Sequence, residues 1–214
     1  LSSFFLLYIK DLKISLRKNA IKIHRIRNIK KDKHMKTKQL LTLAGIGVIA
    51  GSLLLLNSCS TIPKGVTAIS PFDANKYLGK WYEIARLDFK FEKNMNNTTA
   101  EYSLNDDGSI KVVNSGYDYV KKKWKQAIGK AKFVESPDVA MLKVSFFGPF
   151  YAGYNVVALD KDYKYALIIG KNTKYMWILA RETSIPKSVK QNYVDIANRI
   201  GVNTEDLIWV EHTK

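Results

Sequence analysis

Thr98-Thr99-Ala100-Glu101-Tyr102-Ser103-Leu104 runs into Asn105-Asp106-Asp107-Gly108, and Ile110-Lys111-Val112-Val113-Asn114-Ser115-Gly116-Tyr117 follows. Apolar and polar side chains alternate on both sides of the turn. That period places successive residues on opposite faces of a strand, and a short Asn/Asp/Gly cluster between two such runs is a hairpin signal. The stretch predicts two antiparallel strands, each with one face turned to a core.

The same pattern continues outward. Gly79–Leu87 precedes it. Trp124–Phe133 follows and stops at Ser136-Pro137-Asp138, and Val139–Phe147 stops at Gly148-Pro149. Tyr154–Leu159, Tyr165–Ile169 and Tyr175–Arg181 come next, parted by Asp160-Lys161-Asp162 and Lys171-Asn172-Thr173. Pro186 then opens a helix, with Val189, Tyr193, Ile196, Ala197 and Ile200 at helical spacing, Gly201 as its stop and Leu207–Val210 as a last short strand. Eight strands joined by tight turns predict an all-β fold: an eight-stranded antiparallel up-and-down barrel with one C-terminal helix packed outside.

Charge and cysteine usage narrow the function. The chain has 214 residues and a formal charge of +16. Ten of those sixteen charges fall before Cys59, so the basic balance does not describe the barrel and gives little support to nucleic-acid binding. Cys59 is the sole cysteine, which excludes an internal disulfide framework and a Cys-based zinc site. His24, His34 and His212 are the only histidines, too few and too scattered for a His-ligated metal or a Ser-His-Asp triad, although His212 remains a minor catalytic candidate. No catalytic residue, metal or cofactor is expected.

Met35-Lys36-Thr37-Lys38, the uncharged run Leu40–Leu56 and Leu56-Asn57-Ser58-Cys59 read as a lipoprotein signal, with Cys59 as the acylated residue. A transmembrane helix over Leu40–Leu56 is the alternative. Residues 1–34 then read as an upstream, non-native extension, 35–58 as the signal peptide, 59–71 as a tether and 72–214 as the folded domain.

Gly79-Lys80-Trp81-Tyr82-Glu83-Ile84 resembles the first signature of the lipocalins, Gly-x-Trp. Asp160-Lys161-Asp162-Tyr163 is similar to their middle motif in altered form, and Arg181 matches their late arginine. Trp81-Tyr82-Glu83-Ile84-Ala85-Arg86 and the run Lys143–Tyr151 resemble the outer-membrane bacterial branch, kin to apolipoprotein D. The resemblance implies a carrier of a fatty acid or lysophospholipid, lipid-anchored in the cell envelope at the outer membrane and facing the periplasm. Gly79, Trp81 and Arg181 are expected to be structural, with the guanidinium over the indole at the barrel floor.

Strand parity selects the inward face. It picks Ala100, Tyr102, Val112, Asn114, Val144, Phe146, Tyr154, Val156, Trp177 and Leu179 as candidate ligand contacts, with Ala127, Ala131, Phe133, Leu142, Ala158, Ala166 and Ile168 on the same face. Small residues among aromatics leave room for an apolar chain, and Asn114 and the tyrosine hydroxyls can orient a polar end. Glu83 shares the parity of Trp81 and so points inward, where a carboxylate needs a partner or a raised pKa, whereas Arg86 has the other parity with a side chain long enough to reach the mouth. Lys121-Lys122-Lys123 reads as a solvated loop, with contact to anionic headgroups as the alternative. Two other functions compete with the carrier: an enzyme on the same barrel, and an interaction lipoprotein whose barrel is filled by its own side chains.

Overall fold

Nine strands form one antiparallel sheet that closes on itself. In the computed structural model, which describes residues 61–213, they are β1 Gly79–Leu87, β2 Met95–Leu104, β3 Ile110–Asp118, β4 Lys123–Phe133, β5 Met141–Phe147, β6 Phe150–Leu159, β7 Tyr165–Ile169, β8 Met176–Ala180 and β9 Leu207–Trp209. Each of the first eight pairs with its neighbour in sequence, and β8 returns to β1 through Tyr82↔Ala180 and Arg86↔Trp177. β9 adds to the far end of β1. The leader segments 1–34 and 35–58 and the anchor residue Cys59 lie outside the described residues.

Local chemistry sets the turns. Gly108 adopts φ +74°, which only glycine takes without strain, and Asn105 N–H closes the hairpin on Ser109 O at 2.8 Å. At 160–164 the Asp160 carboxylate accepts the amides of Lys164 and Tyr165 at 2.7 and 2.6 Å. Helix α1 (Ala74–Tyr77) crosses the end of the barrel where β1 begins. Helix α2 (Lys187–Ile200) lies on the outer wall and ends where Gly201 takes φ 89° and donates to Ala197 O and Asn198 O.

Two apolar clusters result. One fills the inside around Trp81, Tyr102, Val112, Leu142, Val156 and Leu179. The other glues α2 to the wall through Ile84, Leu167, Ile169, Met176, Ile178 and Tyr193. The single late helix thus covers one side of the barrel, as the sequence predicts.

Several details depart from the pattern. β2 starts at Met95, not Thr98, because Met95 and Asn96 pair with Asp118 and Tyr117 on the far side of a bulge at Asn97-Thr98. β6 starts at Phe150, not Tyr154, because the Gly148-Pro149 turn is only two residues long. A bulge between Val156 and Ala158 rotates Ala158 out of the interior and into the cluster beneath α2. A bulge between Glu83 and Ala85 turns Arg86 inward, against its parity. Ala127 keeps its inward phase yet is exposed, because β4 pairs with β5 only over Lys130–Phe133 and runs on past it.

Candidate functional site

The floor is built first. Trp81 is fully buried, and its indole N–H donates to Tyr77 O at 2.8 Å. The Arg181 guanidinium stacks 3.9 Å from the Trp81 ring centroid. It also donates to the carbonyls of Tyr163, Lys80, Lys76 and Leu78 at 2.8–3.2 Å. Its three nitrogens donate to four carbonyls while the guanidinium covers the ring face, so Arg181 staples the floor. Gly79, at φ +91°, makes the bend that lets the carbonyls of Leu78 and Lys80 both reach it.

Above the floor three hydroxyls meet. Tyr154 Oη lies 2.7 Å from Tyr77 Oη and 2.9 Å from Tyr102 Oη. Burial, the largest influence on each, raises all three above the ordinary phenol value, so they stay protonated. Three protons serve two internal bonds, and one remains to donate inward. Around them Ala100, Val112, Ala131, Leu142, Val156, Ala166, Ile168 and Leu179 form a buried apolar wall.

Toward the other end the wall is wetter. Asn114, Val144, Phe146 and Trp177 are half-buried. Phe146 lies over Gly129, where an added Cβ would meet its ring at 2.8 Å. Asn114 Oδ1 is buried with no hydrogen-bond partner. All ten sequence-selected lining residues therefore sit on the inner face, and all but Asn114 join the interior cluster.

A charged knot that parity missed lies beneath the mouth. Arg86, 1 % exposed, donates to Glu83 Oε1 at 2.7 Å, to Glu92 O at 2.8 Å and to Met95 O at 3.0 Å. Glu92 Oε2 lies 3.8 Å from Arg86 Nε and accepts the indole N–H of Trp177 at 3.3 Å. Two carboxyls share one guanidinium in a dry site. Burial raises both, and the Glu83 charge pushes Glu92 further, well above the carboxylate range. The signals in the sequence were Glu83 on the parity of Trp81 and the reach of the Arg86 side chain toward the mouth. The loop residue Glu92 gave none.

His212 is placed structurally. Its Nε2 lies 2.8 Å from Glu83 O and its ring meets the edge of Tyr82. Surface depressions of about 400 and 500 Å³ lie beside Ile128, Phe146 and Tyr151 and beside Tyr163 and Arg181.

The lipocalin-like domain model matches residues 72–212. The chain belongs to the lipocalin family. Among relatives, the outer membrane lipoprotein Blc of Citrobacter freundii is 50% identical over 164 residues, covering 77% of this chain and 93% of that lipocalin. Apolipoprotein D of Mus musculus is 33% identical over 178 residues, covering 78% and 90%. Among solved lipocalin-fold structures, the cockroach major allergen Per a 4 superposes with a TM-score of 0.57 at 21% identity, covering 72% and 96%, a likeness of fold alone. The Gly79–Trp81 signature and the Arg181–Trp81 stack are the lipocalin features that the sequence carried.

Proposed function

We propose that this lipocalin is a membrane-tethered carrier that holds a fatty acid or lysophospholipid inside its barrel. The observation that carries the reading is the gradient along the inner face. A stapled, aromatic floor gives way to an apolar wall of small and branched residues and then to half-buried Asn114, Phe146 and Trp177 at the mouth. An acyl chain fits the wall, and a polar end fits the wetter level where Asn114 Oδ1 needs a donor. The filled-barrel alternative is favoured at the lower levels, where Phe72, Tyr77 and Trp81 pack together and Val112, Val156 and Ile168 are buried in the same cluster.

The relative from C. freundii is named an outer membrane lipoprotein, and that name together with the signal ending at Cys59 supports anchoring at the outer membrane, facing the periplasm. A carrier rather than an enzyme is the better reading, since the sole cysteine precedes the barrel and His212 faces a backbone carbonyl. Native mass spectrometry of protein purified from membranes, with lipid extraction, tests the ligand. Adducts of acyl-chain mass are expected, and a barrel without lipid that also fails to bind micromolar fatty acid overturns the proposal. Metabolic labelling with a fatty-acid analogue tests the anchor, and Cys59→Ala should lose all label. Deleting residues 1–34 should leave export unchanged if Met35 is the start.

A further inference from the structure

The two ends of the barrel carry opposite charge. The hairpin connections at the mouth, residues 88–94, 119–122, 148–149 and 170–175, hold six lysines against Asp88 and the half-buried Glu92, and the 201–206 connection, whose end is level with Leu87, adds Glu205 and Asp206, a net +2. Those at the closed end, 105–109, 134–140 and 160–164, hold six acids against Lys161 and Lys164, a net −4. A nine-residue strand such as β1 is about 30 Å long, several Debye lengths at physiological salt, so the two ends do not cancel.

The mouth also holds the five most exposed large apolar side chains among the described residues. Phe91, Phe147 and Phe150 are 74%, 70% and 79% exposed, and the Phe91 and Phe147 rings lie 6.5 Å apart. Val120 and Trp124, on the neighbouring connection and the strand that leaves it, are 62% and 64% exposed. Aromatic tips ringed by lysines suit the boundary between headgroups and acyl chains of an anionic bilayer.

The tether leads to the same end. Phe72 N donates to Asp138 O at the closed end, and from there the chain runs back along β6. At Thr61 its carbonyl accepts Asn155 Nδ2 at 2.7 Å, beside Gly153 and Lys171. Asn155 is level with Ile169, the last residue of β7 on the mouth side. Cys59 is two residues further, a reach of about 7 Å.

We propose that the mouth is a membrane-docking surface: Phe91, Phe147 and Phe150 enter the anionic phospholipid leaflet that holds the lipid on Cys59, and the lysines of the rim sit among its headgroups. The barrel then stands mouth-down, and a lipid can pass between leaflet and interior without crossing water. The inference takes Cys59 acylation from the reading above, while the charge and aromatic placement are independent of it.

The test uses the acylated protein reconstituted in phosphatidylcholine vesicles with and without phosphatidylglycerol. Val120→Cys at the mouth and Asp106→Cys at the closed end carry a polarity-sensitive fluorophore. The mouth probe should shift to the blue and be quenched by brominated acyl chains at least about threefold more than the closed-end probe, more strongly with phosphatidylglycerol and less at high salt. The exposed triple variant Phe91→Ser/Phe147→Ser/Phe150→Ser should lose that difference while the barrel melts as before. Equal quenching of the two probes, or deeper quenching at Asp106→Cys, overturns the docking surface. So does a mouth shift that appears in detergent and grows with protein concentration, which would make a second copy the occupant. Fatty-acid titration of the same samples separates the two ideas: intact binding with equal quenching removes the docking surface alone, and unacylated Cys59 removes the anchor reading and this orientation together.

Discussion

Trp177 donates its indole N–H to Glu92 across the mouth at 3.3 Å, so one side chain expected to meet ligand also holds the connection between β1 and β2 in place. Glu92 is raised well above the ordinary carboxylate value by burial and by the Glu83 charge, with Arg86 pulling the other way. Glu83 is raised by burial in the same sense. A carboxyl raised in the folded state binds more protons there than in the open state. Its contribution is therefore full below the ordinary value and is lost as pH rises through the folded one. Hydrogen exchange of the amides in residues 88–94, corrected for the intrinsic rate, should accelerate across that span. In Glu92→Gln the acceleration should shrink, because the amide oxygen still accepts from Trp177 without ionising. A wild-type loop whose corrected exchange is flat with pH contradicts this account.

Trp81 and Trp177 should fail differently. Trp81→Ala empties a fully buried site and removes the stack under Arg181, so it should cost about 3–5 kcal/mol of stability. Trp177 is half-buried, stacked on Tyr175 and edge-on to Phe89. Trp177→Ala should leave the barrel folded and weaken fatty-acid binding by about 1–2 kcal/mol, five- to thirtyfold. Thermal melts and lipid titration separate the two, and exchanged phenotypes would reject both assignments.

The strands were legible because alternation and turn residues report the same thing at each step, as at Ala100, Tyr102 and Val112 around the Asn105–Gly108 turn. Trp81 and Arg181 were legible because a buried indole with a cation above it is a local pairing at one barrel end. Arg86 was not. Parity assumes one residue per rung, and the bulge between Glu83 and Ala85 inserts an extra one, so both charges point inward and can pair. Ala158 was lost to the same cause at Val156/Ala158. Glu92 was hidden because a loop residue has no period to read, and its role comes from contacts with Arg86 and Trp177, residues remote from it in the ladder. Ala127 faces inward as expected, yet nothing in its own strand reports that β5 stops short of covering it.

The Glu83–Arg86 pair should be far costlier to break than to remove. Both side chains are buried, and Arg86 also ties the carbonyls of Glu92 and Met95 to the barrel. Arg86→Met leaves the Glu83 carboxyl with no cation and should cost about 3–5 kcal/mol. Arg86→Met with Glu83→Gln removes the Glu83 charge, leaves only Glu92 without its cation, and should recover part of that loss. Urea midpoints for the two variants test it. Equal midpoints would mean that Arg86 acts only through the backbone carbonyls.

Gly153 sits where the tether crosses the wall. A Cβ there would stand 1.9 Å from Thr61 O, an overlap with backbone that no rotamer change relieves. Gly153→Ala must therefore lift Thr61 away and break its bond from Asn155 Nδ2. Asn155 keeps Ile169 O at 3.0 Å, so the β6–β7 ladder survives and the melting temperature should move little. The freed segment 61–66 should instead be cut faster by protease, by tenfold or so if the lost contacts are worth about 1.4 kcal/mol. The same variant lengthens the free leash between Cys59 and the mouth. In the vesicle experiment it should keep the Val120→Cys probe in the bilayer if the aromatic rim holds the orientation, and release it if the short tether does. Unchanged protease sensitivity would show that Thr61 is not held against Gly153 in solution.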